Sequence, residues 1–484
     1  MRASTFQVMQ SNHRLNEVIR MIKKVLIAIL AFLMVIPFVA GCSDPFNDDD
    51  LGKDEVEGKI TIRVGVLSDS NEISLMSALK REFEKTNDLI NIKIEQFSGN
   101  FNEAMTTYIK DKNNMPDVVM LAGDKHSPFT YSGENFLDLR PYYESSPETS
   151  YDKYYASMLD VTHSSNSDES IWYAPRDYNK PVLFLNTEIF DKAGVPVPKD
   201  NDWTYEQFLD TCKALRAAMD ANKNGLRDRM YPLDGNLGWN AVYLGYLESF
   251  GGSVFNTEAE GDAVVTIDSD ATVNAYKKMY EDLVLTRYAT DPNKTSNGFT
   301  MKNTAMWFSV RPRLPAVVTS GIKIDFVASP FEHIGAGNTG YAISSVAKNR
   351  KSDVRGNTKN NADLAWEFIK FIITEPGQKV FGQTGAGVPV LKSLAKDTSW
   401  RATGGTNLNH DAFIVNEDKD ININQVYDFP PSQHILLNNL MDEAVLQGCR
   451  GSNYVIADGK IESYGTMMAE IKRVANEMRG IIRK

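Results

Sequence analysis

From Lys59 onward the chain alternates strand-like and helix-like patterns, and that alternation limits the fold more than any other feature of the sequence. Lys59–Leu67 alternates apolar and polar side chains, the period-two mark of a half-buried strand, and runs into Ser68, Asp69 and Ser70, a helix-capping cluster. Leu75, Met76, Leu79 and Phe83 then recur at helical spacing, and Ile90, Ile92 and Ile94 alternate as a second strand. Ala104, Tyr108 and Ile109 suit a helix, and Pro116–Leu121 reads as a short buried strand. Strand, helix, strand, helix, strand predicts an α/β layer on a mostly parallel sheet. Ligands of such sheets sit outside the carboxyl ends of the strands. The loops Ser68–Asn71 and Ala122–His126 are therefore the first places to look for ligand contacts, with Asp69 and Asp124 as candidates. The competing role for each is a helix N-cap, common for Asp in such loops.

Further along, helical periodicity dominates over Thr204–Asp220, Asp270–Leu285, Ala362–Ile373 and Ile461–Arg479. Gly335–Gly340 and Lys348–Asn361 are turn-rich and are expected to be loops.

The N-terminus sets the compartment. Lys23 and Lys24 precede an apolar run, Val25–Ala40, which ends in the small residues Val39, Ala40 and Gly41 before Cys42. A charged start, a run too short to span a bilayer comfortably and a small-residue exit predict a signal peptide over 1–41, with Met21 as the true start. Val-Ala-Gly-Cys42 resembles a lipobox, in which the cysteine thiol carries a diacylglyceryl group and becomes the new N-terminus. Residues 42–58, rich in Asp and Glu and punctuated by glycine, are expected to be a solvated linker to that anchor. The expected location is the outer face of a cell membrane. Ser43 rather than Asp follows Cys42, so no inner-membrane retention signal is present.

The formal net charge is −11, and the signal peptide holds five basic residues against one acidic one, so its removal makes the chain more acidic still. Such a surface argues against nucleic acid as a partner. Cys212 and Cys449 are the cysteines left after Cys42, and without a CxxC or HExxH pattern they read as isolated small hydrophobes. No GxSxG elbow or catalytic-cysteine signature is present, and the histidines fall in no ligand-spaced cluster. The chain reads as a non-enzyme.

Several stretches, taken in order, resemble the family 1 extracellular solute-binding proteins of ABC importers. They are Met115–Met120; Ile171–Pro175 followed by Val182–Val195; Trp203–Phe208; Phe299–Met306, with Lys302-Asn303 where Gly-Lys is usual; and Ala365–Phe371 followed by Thr384–Val390 and Lys392–Leu394. The resemblance runs from about residue 59 to 395 and is weaker beyond 400. It implies a two-lobed α/β fold of the periplasmic-binding-protein type, with a ligand cleft and a hinge between the lobes. The first lobe is expected over 59–174 plus about 302–350, and the second over 175–301 plus about 355–484. Hinges are expected near Ala174–Pro181 and Met301–Ser309. The implied function is capture of a mono- or oligosaccharide by a monomer that presents it to the permease transmembrane subunits. Sensing or adhesion through the same cleft, or import of a peptide or polyamine, are the alternatives.

A neutral sugar is held by aromatic faces against its C–H face and by planar polar side chains on its hydroxyls. Trp239, in the turn-rich stretch Asp234–Asn240, and Trp307, before Arg311, are candidates for stacking against the competing role of packing at a lobe edge. Tyr173, Arg176 and Asp177 straddle the expected crossing at Pro175, and Arg311 joins them as a polar candidate. Trp203 and Trp366 belong to amphipathic helices and are expected in the core.

Asp220, Asn222, Asn224 and Asp228 place oxygens at positions one, three, five and nine of an EF-hand-type loop, with Gly225 at six and the Leu226 carbonyl at seven. Tyr231 stands at position twelve, where a bidentate acid is usual. A structural calcium ion is one reading of this loop, and a plain Asn/Gly turn after a helix is the other.

Overall fold

In a computed structural model, described for residues 51–97, 99–164, 169–256, 258–293, 297–385, 387–426 and 429–483, the alternating patterns build two sheets. The expected signal peptide with Met21, and Cys42, the expected lipidation site, lie outside the described residues. Gly52–Lys484 forms one compact unit.

The first sheet has β1 (Ile60–Val66), β2 (Ile90–Gln96) and β3 (Val118–Ala122) in parallel, joined by helices α1 (Ser70–Thr86) and α2 (Phe101–Lys110). Both helices start where capping chemistry places them. Asp69 caps α1, and Asn100 with Glu103 forms a reciprocal capping box on α2. The sheet is completed by β4 (Ala174–Pro175), which pairs with a returning antiparallel strand of residues 339–343, giving the order β2-β1-β3-(339–343)-β4.

After β4 the chain crosses through β5 (Asp177–Tyr178) into a second sheet. This holds β6 (Val182–Asn186), β7 (Tyr231–Asp234), β8 (Thr304–Ser309) and β9 (Ile324–Val327) in the order β7-β8-β6-β9. Strands β7 and β8 run parallel, and β6 is antiparallel to both its neighbours. Helices α3 (Thr187–Ala193), α4 (Tyr205–Asp220), α5 (Asn240–Ser249) and α6 (Asp270–Met279) cover it. The chain returns through β10 (Ile334–Ala336) to β11 (Thr339–Ile343), the strand already placed in the first sheet. A Cβ at Gly340 would lie 2.1 Å from the Ala174 carbonyl, so glycine is what lets β11 and β4 approach. Of Gly335–Gly340, expected as loop, residues 335–336 and 339–340 thus lie in strands β10 and β11: glycine here serves close strand contact rather than a turn.

The C-terminal region divides. Helices α7 (Asn361–Ile373) and α8 (Glu375–Gln383) pack on α1 of the first lobe, with Phe368 of α7 5.0 Å from Phe83 between ring centroids. Leu364, Ala365, Phe368, Ile369 and Ile372 are all buried, each large one gaining about 1.5–3 kcal/mol. Two short pairings follow, β12 (Val388–Pro389) with β5 and β13 (Asp420–Asn422) with β10, so the C-terminal segment splints both crossings. Helices α9 (Pro431–Gly448) and α10 (Met467–Ile482) then join the core of the second lobe.

This departs from the expected division at three points. The strands within 304–327 belong to the second sheet rather than the first, 361–383 pack on the first lobe rather than the second, and within the hinge expected at Met301–Ser309 the residues Thr304–Ser309 form an interior strand. An apolar strand pattern records burial but not which sheet does the burying, and β8 finds its partner β7 about 70 residues upstream. The linker expected over 42–58 also ends early. The carbonyls of Gly52, Lys53 and Asp54 accept hydrogen bonds from Lys93, Asn91 and Thr61, which seat the chain along β1 and β2. Cys212 and Cys449 are buried and free, and Cys449 Sγ sits 3.6 Å from Met279 Sδ. Trp203 and Trp366 are buried as expected, the Trp203 indole N–H donating to the Ala328 carbonyl at 2.9 Å.

Candidate ligand-binding cleft

Strand direction determines which edges of the two sheets face the crossings. In the first sheet the carboxyl ends of β1, β3 and β4 lie beside the amino end of β11; in the second, the carboxyl ends of β7, β8 and β9 lie beside the amino end of β6. The crossings 176–181 and 328–338 join those edges, so the loops beyond them face the junction of the lobes.

On the second lobe these loops enclose a cavity. Asp234, the last residue of β7, is buried and accepts the Thr290 hydroxyl at 3.3 Å and the Phe299 amide at 3.1 Å, tying three chain segments together. Asn236 takes a left-handed backbone (φ 47°), a conformation Asn tolerates, and its side-chain amide donates to the Phe308 carbonyl at 3.0 Å. That turn delivers Trp239 to the start of α5, its amide donating back to the Asn236 carbonyl at 2.7 Å. On β8, Met306 and Phe308 point into the core, so Trp307 between them points the other way and is only half-buried. Its ring stacks on Phe299 at 5.4 Å and 28° and meets the edge of Phe184 at 5.8 Å. Trp239, Trp307, Phe299, Asn236, Ser309 and Arg313 line a cavity of about 560 Å³. A second cavity of about 460 Å³ shares Asp234, Asn236 and Trp239 and adds Asp291, Asp442 and Leu446. Burial pushes the Asp442 carboxyl above its ordinary range, and it accepts the Tyr243 hydroxyl at 3.2 Å.

The first lobe's candidates are placed differently. Asp69 is exposed at the N-terminus of α1, its carboxylate accepting the Asn71 and Glu72 amides at 3.0 and 3.2 Å. Asp124 is half-buried after β3, and desolvation raises its pKa. Tyr173 is fully buried, its hydroxyl on the Asn338 side chain and its ring 5.0 Å from His126. Arg176 is buried in a network: it donates to Glu72 at 2.6 Å, to the Tyr341 hydroxyl at 2.6 Å and to Asp177 at 3.1 Å, while Asp177 also accepts the Thr339 amide at 2.8 Å. Arg176 and Asp177 thus pair with each other across the crossing, with Glu72 and Tyr341 as the further members.

Arg311 has zero exposure. Its guanidinium donates to His410 Nδ1 at 2.9 Å and to the Trp400 carbonyl, and lies 5.3 Å from the Trp400 ring. Burial lowers its pKa to about 9. The guanidinium that reaches the cavity from this loop is that of Arg313, two residues on, because Arg311 turns inward onto Trp400 and His410. Sequence reasoning also missed Phe299, Asp442 and Leu446. Phe299 opened a quoted motif and had a signal; Asp442 and Leu446, one helical turn apart on a distant helix, had none.

As placed, some of the oxygens of Asp220–Asp228 already accept from protein donors. The Asp220 carboxylate pairs with Arg216 at 2.9 Å, and the Asp228 carbonyl accepts from Arg216 at 2.8 Å and Arg287 at 2.6 Å. The Asn222 amide donates to the Asp220 carbonyl and the Asn224 amide to Lys192, while Leu226 is buried. Guanidinium groups thus supply the positive charge that the loop oxygens attract.

What the second-lobe site offers chemically is flat apolar surface edged by amide, hydroxyl and guanidinium groups, with no cluster of three His, Cys, Asp or Glu fit for a metal among the described residues. No helix of the described residues is long and apolar enough to cross a membrane.

Comparison with known proteins bears on the fold and the family. No curated protein matches the chain by sequence. Among solved structures, an ABC substrate-binding protein of Listeria monocytogenes in complex with cycloalternan is 18% identical with a TM-score of 0.66, over 87% of this chain and 98% of that one. The sugar-binding protein MalE of Xanthomonas citri is 14% identical with a TM-score of 0.66, over 88% and 98%. UgpB of Mycobacterium tuberculosis in complex with glycerophosphocholine is 17% identical with a TM-score of 0.64, over 88% and 99%. These likenesses establish the two-lobed α/β fold. A family model described as bacterial extracellular solute-binding protein matches residues 68–379, and the chain belongs to that family.

Proposed function

We propose that this protein captures a carbohydrate outside the cytoplasm and presents it to the transmembrane subunits of an ABC importer, acting as a binding protein rather than an enzyme. The observation that carries the reading is the pair of half-buried indoles, Trp239 and Trp307, on one cavity with amide and hydroxyl groups at its edge. An aromatic face offers apolar area to the C–H face of a sugar ring, and Asn236, Ser309 and Arg313 supply partners for its hydroxyls. The solved neighbours support the same reading, since one holds cycloalternan and another is described as sugar-binding. The glycerophosphocholine complex marks the competing ligand class, and fold alone does not choose between them. Closure of the lobes about the crossings 176–181 and 328–338 would bury the ligand. The lipobox-like end at Cys42 supports attachment to the membrane through a lipid.

The test is a thermal-shift screen against neutral glycans and glycerophosphodiesters. A ligand that binds only the folded state raises the melting temperature by mass action. A shift with a glycan that disappears in W307A supports sugar capture. A shift with glycerophosphodiesters alone refutes it and leaves the binding-protein reading standing. Cys42→Ala should release the protein from the membrane fraction.

A further inference from the structure

Three chain segments meet where the lobes join. Asn179 on the first crossing and Gly337 on the second exchange amide-to-carbonyl bonds of 3.1 and 2.9 Å. Strand β13 of the C-terminal splint pairs with β10 of the second crossing, which carries Asp420 to the same place. There a buried ion pair ties the splint to the first crossing. Lys180 donates to the Asp420 carboxylate at 3.0 Å and to the Val415 carbonyl, and the Tyr178 hydroxyl donates to the other Asp420 oxygen. The two charged side chains are 4% and 0% exposed. Tyr155 closes the site from the first lobe, its ring stacked at 4.3 Å on that of Tyr178. The surrounding charges are Glu417 and Asp418 on the splint, Lys392 at 3.9 Å from Glu417, and Arg401 beside Tyr155. His333, on the second crossing, bonds the Lys419 carbonyl through its ring nitrogen at 3.1 Å. Neither Lys180 nor Asp420 lines the second-lobe cavities.

A hinge works by changing the angle between such segments. A rotation that draws the splint off the first crossing parts Lys180 from Asp420 and admits water to both. We propose that the Lys180–Asp420 pair is a proton-sensitive hinge clasp, which couples the angle between the lobes to the pH of the surroundings. This rests on hinge motion and holds whatever the cleft binds. The direction follows from linkage. Desolvation pushes the Asp420 carboxyl up to about 6 against the opposing Lys180 charge, and Glu417 adds to the rise. Burial lowers the Lys180 ammonium as well. In the released arrangement water returns the Asp420 carboxyl to its ordinary 3.8. The clasped arrangement therefore holds the proton more tightly. Acid favours it, and the advantage is lost as pH rises through about 6.

The experiment measures the distance between spin labels at Lys85→Cys on the first lobe and Lys323→Cys on the second, both exposed positions, in the full chain without ligand. Cys42→Ala leaves the labels to the introduced thiols, since Cys212 and Cys449 are buried. From about pH 7.5 to about pH 4.5 the ratio of clasped to released lobe separation is expected to rise at least about fivefold. In Asp420→Asn, which keeps an acceptor for Tyr178 and Lys180 but cannot titrate, the ratio stays constant. K180M/D420N removes both charges and should lose the response equally, so a first variant that fails to fold does not decide the matter. His333→Gln should keep the full response. One pH-independent separation in the wild type, a response that survives in both Asp420 variants, or its loss in H333Q overturns the clasp and leaves carbohydrate capture standing.

Discussion

The two faces of the cleft use similar residues to opposite ends. On the first lobe, Arg176, Asp177, Glu72 and Tyr341 are buried and spend their hydrogen bonds on one another. On the second, Trp239 and Trp307 are only partly buried and border a cavity. Removing a charge from water costs several kcal/mol unless partners are fixed in place, so a buried Arg–Asp–Glu cluster is bound to hold still. A half-buried aromatic pays no such penalty and remains open to a ligand. Polarity near a cleft is thus weaker evidence of binding than unfilled space beside a supported ring.

The sharpest way to break this comparison is Arg176→Met, which leaves the Glu72 and Asp177 carboxylates buried beside each other without their cation. It should cost about 3–5 kcal/mol of unfolding free energy in urea titrations. A cost below about 1 kcal/mol would mean that the network is free to serve a ligand after all. Trp307→Ala should do the reverse, weakening the glycan by about 2 kcal/mol, some thirtyfold, while the unfolding midpoint moves less than in R176M. If W307A unfolds as readily as R176M, the indole is core and not platform.

The second lobe has its own buried polar pair, and acid tests it. Burial pulls the His410 imidazole down to about 4, reinforced by the Arg311 charge, so the folded state holds it neutral with Nδ1 accepting from Arg311. The unfolded chain takes up that proton near pH 6.5, the folded one only near 4. Its contribution is full above about 6.5 and is lost as pH falls towards 4, a loss on the order of 1 kcal/mol once solvent screening is counted. Asp420, which burial pushes up to about 6, has the opposite slope. The difference between wild type and His410→Gln in urea unfolding across that range isolates His410, and parallel curves would refute the assignment.

The smallest expected effect concerns calcium. Millimolar calcium should move the melting temperature by less than about 1 °C, because Arg216 already occupies the Asp220 carboxylate. Arg216→Gln should make the shift larger; a large shift in the wild type would show that the ion displaces the guanidinium.

How much of this was legible beforehand follows from range. The cap at Asp69, the first βαβαβ unit and the amphipathic face of α7 are written in residues a few positions apart, and those elements formed where the patterns put them. Trp239 and Trp307 were visible as aromatics in the wrong place for a helix core. The neighbours of Trp239, Asp442 and Leu446, were not, because nothing local ties a helix near the C-terminus to a turn about 200 residues earlier. Arg311 and Arg313 show the limit most plainly: two residues apart, one lies under Trp400 and the other on the cavity, and no pattern in that stretch distinguishes them.

The sequence by itself determined the class of layers, the start of α1 at Asp69 and the family, since each depends on spacing along the chain. Only the tertiary structure decided which sheet β8 joins, which lobe α7 covers, and which charged side chains are locked together rather than offered to a ligand. The physical reason is that burial and ion pairing depend on what arrives from elsewhere in the chain, and a residue's own neighbours in sequence do not specify that.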